Sequence, residues 1–266
     1  MFKKLSQIYN LYKKYSSKEL VHYAAGLSFY TVLSLIPLLL IMFSLFTQMP
    51  SFDEQILKIK NFVFESLLPS HQETISEYIE KFLENSSNLG VVSFVAVIIT
   101  TLVFFDNYKY IVAKLTNTKL NHFWQDFSKY WTLITLAPFG LGISFYLSTN
   151  LQNLLDKTEL TSWINFLSIL PYLITWAIFG VVYKISINKI TSNKFILISS
   201  FITSLVWNLS KFAFIKYTFY NKTYLSLYGS FSIILFFFLW IYISWIIFLY
   251  GFKIYLFLEE SVKEQA

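Results

Sequence analysis

Six long apolar runs, each poor in charge, leave this chain one solvent in which it can fold. They cover about Ala24 to Phe46, Val91 to Phe105, Trp131 to Thr149, Ile164 to Tyr183, Phe195 to Tyr217 and Ser230 to Leu258. A stretch of about 20 apolar residues spans the hydrocarbon of a bilayer. In lipid, a helix satisfies its own backbone polar groups, so each run is expected to be a transmembrane helix. Charged residues make up only 14% of the chain, against roughly 25% in soluble domains, so a water-exposed surface is not available. The fold class expected is therefore all-α, a single polytopic domain of six transmembrane helices over residues 1–266. The second run is short and is expected to continue past Asp106 toward Lys114. The first lacks a small-residue cleavage site and is too long for a signal-peptide core, which makes it an uncleaved span.

Lysine placement orients the bundle. Every one of the 21 basic residues is a lysine. Lys3, Lys4, Lys13, Lys14 and Lys18 precede the first span, and Lys109, Lys114, Lys119 and Lys129 follow the second. Lys184, Lys189 and Lys194 follow the fourth, and Lys253 and Lys263 close the last. The other side holds Lys58, Lys60, Lys81, Lys157 and Lys222. The positive-inside rule then puts both termini in the cytoplasm.

Two stretches outside the spans are amphipathic. Phe2, Leu5, Ile8, Tyr9 and Tyr12 face one way in residues 1–20, with lysines on the flanks, as in an interfacial helix on anionic lipid. Residues 47–90 form the sizeable outer connection, with seven acidic residues against three lysines. Phe52, Ile56, Ile59 and Val63 make one stripe there. After Pro69, Ser70 and Glu73 form a capping box ahead of Ile75, Tyr78, Ile79 and Phe82. Such a segment serves either as a lid on the bundle or as a docking site for a partner on that side.

Within the membrane, an ionisable side chain costs about 2.5 to 3.5 kcal/mol at mid-bilayer, so it rarely faces lipid. On the fifth span Ser200, Ser204, Asn208 and Lys211 fall at spacings of four, four and three, a polar stripe on one helix face. On the second, Asp106 and Lys109 stand one turn apart and can pair. Ser204, Asn208, Lys211, Asp106 and Lys109 are the candidate contacts of a water-accessible cavity. The alternative is that the stripe is interhelical hydrogen-bonding glue and Asp106 with Lys109 a boundary pair. Pro37, Pro138 and Pro171 each remove a backbone hydrogen bond and are expected to kink the first, third and fourth spans. Leu33 to Leu39 and Leu167 to Leu173 share a Leu-Ser-x-x-Pro-x-Leu pattern, as an inverted repeat would produce.

Several chemistries lack their residues. There is no cysteine, hence no disulfide, thiolate metal site or cysteine nucleophile. The histidines, His22, His71 and His122, are widely separated, and no P-loop, glycine-rich nucleotide fingerprint or nucleophile elbow is present. With no arginine and no basic-aromatic face outside the spans, nucleic-acid binding is not expected. No metal or other cofactor, and no enzymatic activity, is expected.

His22-Tyr23-Ala24-Ala25-Gly26-Leu27-Ser28-Phe29-Tyr30, running on to Leu33-Ser34-Leu35-Ile36-Pro37, resembles the opening motif of the YihY/BrkB family of bacterial inner-membrane proteins. Val182-Tyr183-Lys184, Trp207-Asn208-Leu209-Ser210-Lys211, Tyr228-Gly229-Ser230, Leu239-Trp240-Ile241-Tyr242 and Gly251 continue the resemblance in order over about residues 15–260. Ile187, Ser199-Ser200 and Gly251-Phe252-Lys253 depart from the family pattern. The resemblance implies an inner-membrane location and a role in the cell envelope. Members have been called virulence factors, and one branch is associated with movement of lipopolysaccharide precursors. The family's older ribonuclease label finds no ligand set here. The expectation is a transporter or flippase-like protein for an anionic lipid or amphiphile, passive or ion-coupled because no ATP-binding motif exists. The alternative is a non-transporting envelope scaffold acting through residues 47–90 on a periplasmic partner. Membrane lipids are the expected partners on either reading, and substrate and oligomeric state stay open.

Overall fold

The computed structural model describes residues 18–46, 91–118, 143–144, 146–153, 166–187, 192–229 and 231–263, with single positions among 58–77 and at 155. The interfacial helix expected over residues 1–20 lies outside the described residues except at its last positions, as does most of the 47–90 segment. Pro138 and the first half of the third span also lie outside them.

Every described element is helical. We number them α1 (Lys18–Phe46), α2 (Val91–Thr116), α3 (Phe166–Ser186), α4 (Asn193–Tyr220), α5 (Lys222–Tyr228) and α6 (Phe231–Lys263). Among the described residues, three helices contain stretches long and apolar enough to cross a membrane: Leu167–Ser186, Asn193–Tyr220 and Phe231–Glu260. α1 and α2 add 29 and 26 residues, so α2 does continue past Asp106 to the lysine at its end. α1 runs on through position 37, and Pro171 sits in the second turn of α3, where its missing N–H frees a carbonyl close to the helix start.

The helix ends have local causes. Asn117, with φ 51°, takes the left-handed conformation that closes α2. At the end of α4 the Asn221 N–H reaches the Tyr217 carbonyl. Gly229, with φ 56°, makes the turn from α5 into α6, and its carbonyl accepts from both the backbone N–H and the hydroxyl of Ser232.

α6 is the centre of the bundle, packed along α4 and α1; α1 also packs on α2, and α3 on α4. The cross-contacts give the chain directions. Trp207 meets Ser244 while Phe214 meets Phe236, so α4 and α6 are antiparallel. Phe104 meets Trp245 and Tyr108 meets Phe248, so α2 runs parallel to α6. Lys184 of α3 donates to Asn193 at the start of α4. Thr31 of α1 meets Trp245 and Glu19 lies near Lys253, so α1 is antiparallel to α6, and the ends that carry Lys18, Lys114, Lys184 and Lys194 gather at one end of the bundle.

The side-chain pattern is inverted relative to a helix in water. On α4 the buried positions are Ile196, Ser199, Ser200, Thr203, Ser204, Trp207, Phe214 and Thr218. The exposed ones include Leu197, Phe201, Leu205, Leu209 and Phe212. Small hydroxyl residues inside and large apolar ones outside is the arrangement hydrocarbon selects, because helices gain from close approach and polar contacts rather than from hiding leucine. The largest buried side chains are aromatic: Tyr183, Trp240, Phe236, Phe252 and Tyr255 are essentially inaccessible, alongside aliphatic Leu20, Leu27, Ile111 and Leu249.

Candidate functional site

The polar face of α4 divides into two regions. Toward the lysine-rich end, three helices meet at Gly251. A Cβ at that position would overlap Thr203 Oγ1 of α4 and the Tyr183 hydroxyl of α3, so only hydrogen fits. Tyr183 Oη lies 2.9 Å from the Phe248 carbonyl and 3.0 Å from Thr203 Oγ1, and Thr203 Oγ1 lies 2.7 Å from the Ser199 carbonyl. Only two hydroxyl hydrogens are available for these three contacts. The tyrosine must donate to the Phe248 carbonyl, which carries no hydrogen to offer, and the one Thr203 hydrogen goes either to the Ser199 carbonyl or to Tyr183 Oη. Every donor is used inside the bundle.

Ser200 belongs to the same kind of packing. It accepts from Trp176 Nε1 at 3.1 Å and sits against Gly180, where a Cβ would come within 3.4 Å of its hydroxyl. On the next turn of the stripe, Asn208 Nδ2 turns back to the Ser204 carbonyl at 2.8 Å, within its own helix. Ser204 is buried and Asn208 half-buried. These members of the stripe act as interhelical and intrahelical hydrogen-bonding groups.

Lys211 is different. Its ammonium stands 5.9 Å from the centre of the Trp207 ring, a cation–π distance. The Trp207 ring is 5.4 Å from that of Trp240 on α6, and Phe214 closes on Trp240 from the other side at 5.2 Å. Trp207 Nε1 donates to Ser244 at 3.0 Å. With Trp207 opposite Ser244, one further turn of antiparallel register sets Lys211 level with Trp240. Lys211 stands nine residues before Tyr220, the end of α4, which is about 14 Å of helix rise. The lysine is thus well inside an apolar span, beside an aromatic box.

That level is also reached by residues 65–66. The Trp240 Nε1–H donates to the Ser66 carbonyl at 2.8 Å, and neighbouring Glu65 lies within electrostatic reach of the Lys211 ammonium. A second tie joins Lys58 Nζ to Thr149 Oγ1 at 2.8 Å. Among the candidate residues, Ser204, Asn208 and Lys211 share α4, whereas Asp106 (exposed) and Lys109 (half-buried) are on α2, which packs on α1. Sequence reasoning did not place Glu65 and Ser66 at the site, and it named Trp207 and Trp240 only within the family resemblance. The two tryptophans were visible, Trp207 lying one position off the Asn208 stripe, but nothing local pairs them with residues 65–66.

A groove of about 360 Å³ runs between residues 144–151 and α3, lined by Ser144, Leu147, Ser148, Leu170, Leu173 and Ala177 among others. Among the described residues, no group of three or more His, Asp or Glu is placed to hold a metal ion.

Known proteins place this architecture. The family described as Virulence factor BrkB matches residues 11–266. A UPF0761 membrane protein of Haemophilus influenzae is 29% identical over 259 residues, covering 94% of this chain and 93% of the relative. Another, of Mannheimia succiniciproducens, is 27% identical over 243 residues, covering 90% and 85%, and one of Psychromonas ingrahamii is 29% identical over 246, covering 91% and 84%. No solved structure matches. The inverted helix surfaces, the apolar spans and a family match over nearly the full length agree: the chain is a membrane protein and belongs to the BrkB family.

Proposed function

We propose that this is a six-span protein of the bacterial inner membrane with both termini in the cytoplasm, and that it is a transporter or flippase-like protein for an anionic lipid or amphiphile in envelope biogenesis. The observation that carries the reading is Lys211, an ammonium about 14 Å inside an apolar helix, held beside the Trp207 ring. A cation at that depth is costly and is retained where an anion meets it. The lysines gathered at one end of the bundle support the orientation. On this reading the chain is not an enzyme and needs no cofactor.

Reconstitution of the full chain into vesicles containing labelled phosphatidylglycerol or labelled phosphatidylcholine tests it. The expected result is movement of the anionic lipid, lost in Lys211→Leu and reduced in Asn208→Leu, with insertion unchanged. Equal movement of lipid by the wild type and Lys211→Leu would remove the lysine from the mechanism. A second reading, a scaffold acting through residues 47–90, is favoured by the bonds that tie Ser66 and Lys58 to the bundle. No lipid movement by the wild type, together with crosslinks from residues 47–90 to one periplasmic protein, would select it.

A further inference from the structure

The 47–90 segment has a more specific part to play than a cover. Glu65 and Ser66 are adjacent, and the Ser66 carbonyl is fixed by the indole of Trp240, a fully buried residue nine positions inside α6. Trp240 in turn touches Trp207, whose ring carries the Lys211 ammonium. Three contacts on three different segments therefore set residues 65–66 at the level of Lys211. The Glu65 side chain beside that anchored carbonyl is exposed, and its charge acts on the Lys211 ammonium.

We propose that Glu65 is the internal counter-ion of Lys211, held in place by the Ser66–Trp240 bond, and that it occupies the position an anionic headgroup takes when one binds. The proposal rests on the reading of Lys211 as the anion contact and adds what keeps that contact closed. A half-buried lysine beside an aromatic ring is stabilised by a negative charge nearby when no ligand is present. A carboxylate supplied by the chain meets that need and competes with any incoming anion. An anion enters by displacing Glu65, so loss of the carboxylate strengthens anion binding while loss of the lysine abolishes it.

The chain contains no cysteine, so a single introduced thiol reports on one place without a prior deletion. In Lys211→Cys, a methanethiosulfonate bearing a trimethylammonium group is expected to react faster than one bearing a sulfonate. Adding Glu65→Gln should lower that preference by roughly 3- to 10-fold, the range expected when one nearby charge is removed. Adding Glu77→Gln instead should leave it unchanged. An equal effect of the two glutamines, or no effect of Glu65→Gln, overturns the pairing. So does failure of both reagents at position 211 when Leu227→Cys, on the exposed α5, reacts with both.

Binding of phosphatidylglycerol relative to phosphatidylcholine by the full chain in nanodiscs supplies the second arm. Glu65→Gln is expected to raise it several-fold, and Glu65→Gln with Lys211→Gln to erase the gain. An unchanged ratio in Glu65→Gln overturns the displacement. Neither readout requires transport. A chain that meets both expectations yet moves no lipid retains the counter-ion and loses only the transport reading.

Discussion

The two regions of the α4 polar face contain the same kinds of atoms and put them to opposite uses. Around Gly251, the hydroxyls of α3 and α4 spend both their hydrogens inside the bundle, over contacts of 2.7 to 3.0 Å with one another and with carbonyls of α6 and α4. Around Lys211, the cation faces an aromatic ring and senses a carboxylate on a separate segment. A polar group in an apolar helix is structural when the helices themselves saturate it, and is a candidate contact when capacity is left over. The contrast comes from distance between backbones: at Gly251 there is no room for a methyl group, whereas Lys211 has a long side chain with the Trp207 indole beside it.

Substitutions should separate the regions by size and by sign. Gly251→Ala should be the most damaging, destabilising the bundle by about 3 kcal/mol because the methyl has to displace Thr203 and Tyr183 together. Unfolding in mild detergent with increasing denaturant measures it, and a cost near zero would mean the three helices are not locked there. Tyr183→Phe should cost about 1 kcal/mol, with a coupling to Thr203→Val of roughly 0.6 kcal/mol in a double-mutant cycle; strict additivity would deny the hydroxyl pair. Thr101→Val should stabilise, by about 1 kcal/mol, since Thr101 is 2% exposed and its hydroxyl has no hydrogen-bond partner among the described residues. Lys211→Met should change stability by less than about 0.5 kcal/mol, because the methionine keeps the apolar stem over the Trp207 ring. A large loss there would make Lys211 a structural residue like Tyr183.

Much of this was legible from periodicity and hydropathy. The expected runs at 164–183, 195–217 and 230–258 correspond to α3, α4 and α6, displaced by a few residues where lysines and asparagines remain helical beyond the apolar stretch. The stripe of Ser200, Ser204 and Asn208 does lie on one face, as a 3.6-residue repeat requires. What each member bonds to was not legible. Ser200 is matched to Trp176 by a helix hairpin, and Asn208 bends to its own helix, outcomes that depend on which helix lies alongside. Thr203 falls outside the i, i+4 series that picked out the stripe, and its partners Tyr183 and Gly251 are 20 and 48 positions away along the chain. The Ser66–Trp240 bond spans 174 positions, which no local pattern encodes.

The crowding at Gly251 has a mechanical side. Where backbone and side chains of three helices are in contact without slack, α4 can tilt against α6 only by turning about that point, as a lever turns on its fulcrum. Lys211 is eight residues along α4 from Thr203, an arm of about 12 Å. A rotation of about 10° would carry the ammonium about 2 Å while leaving the packing at the glycine almost undisturbed.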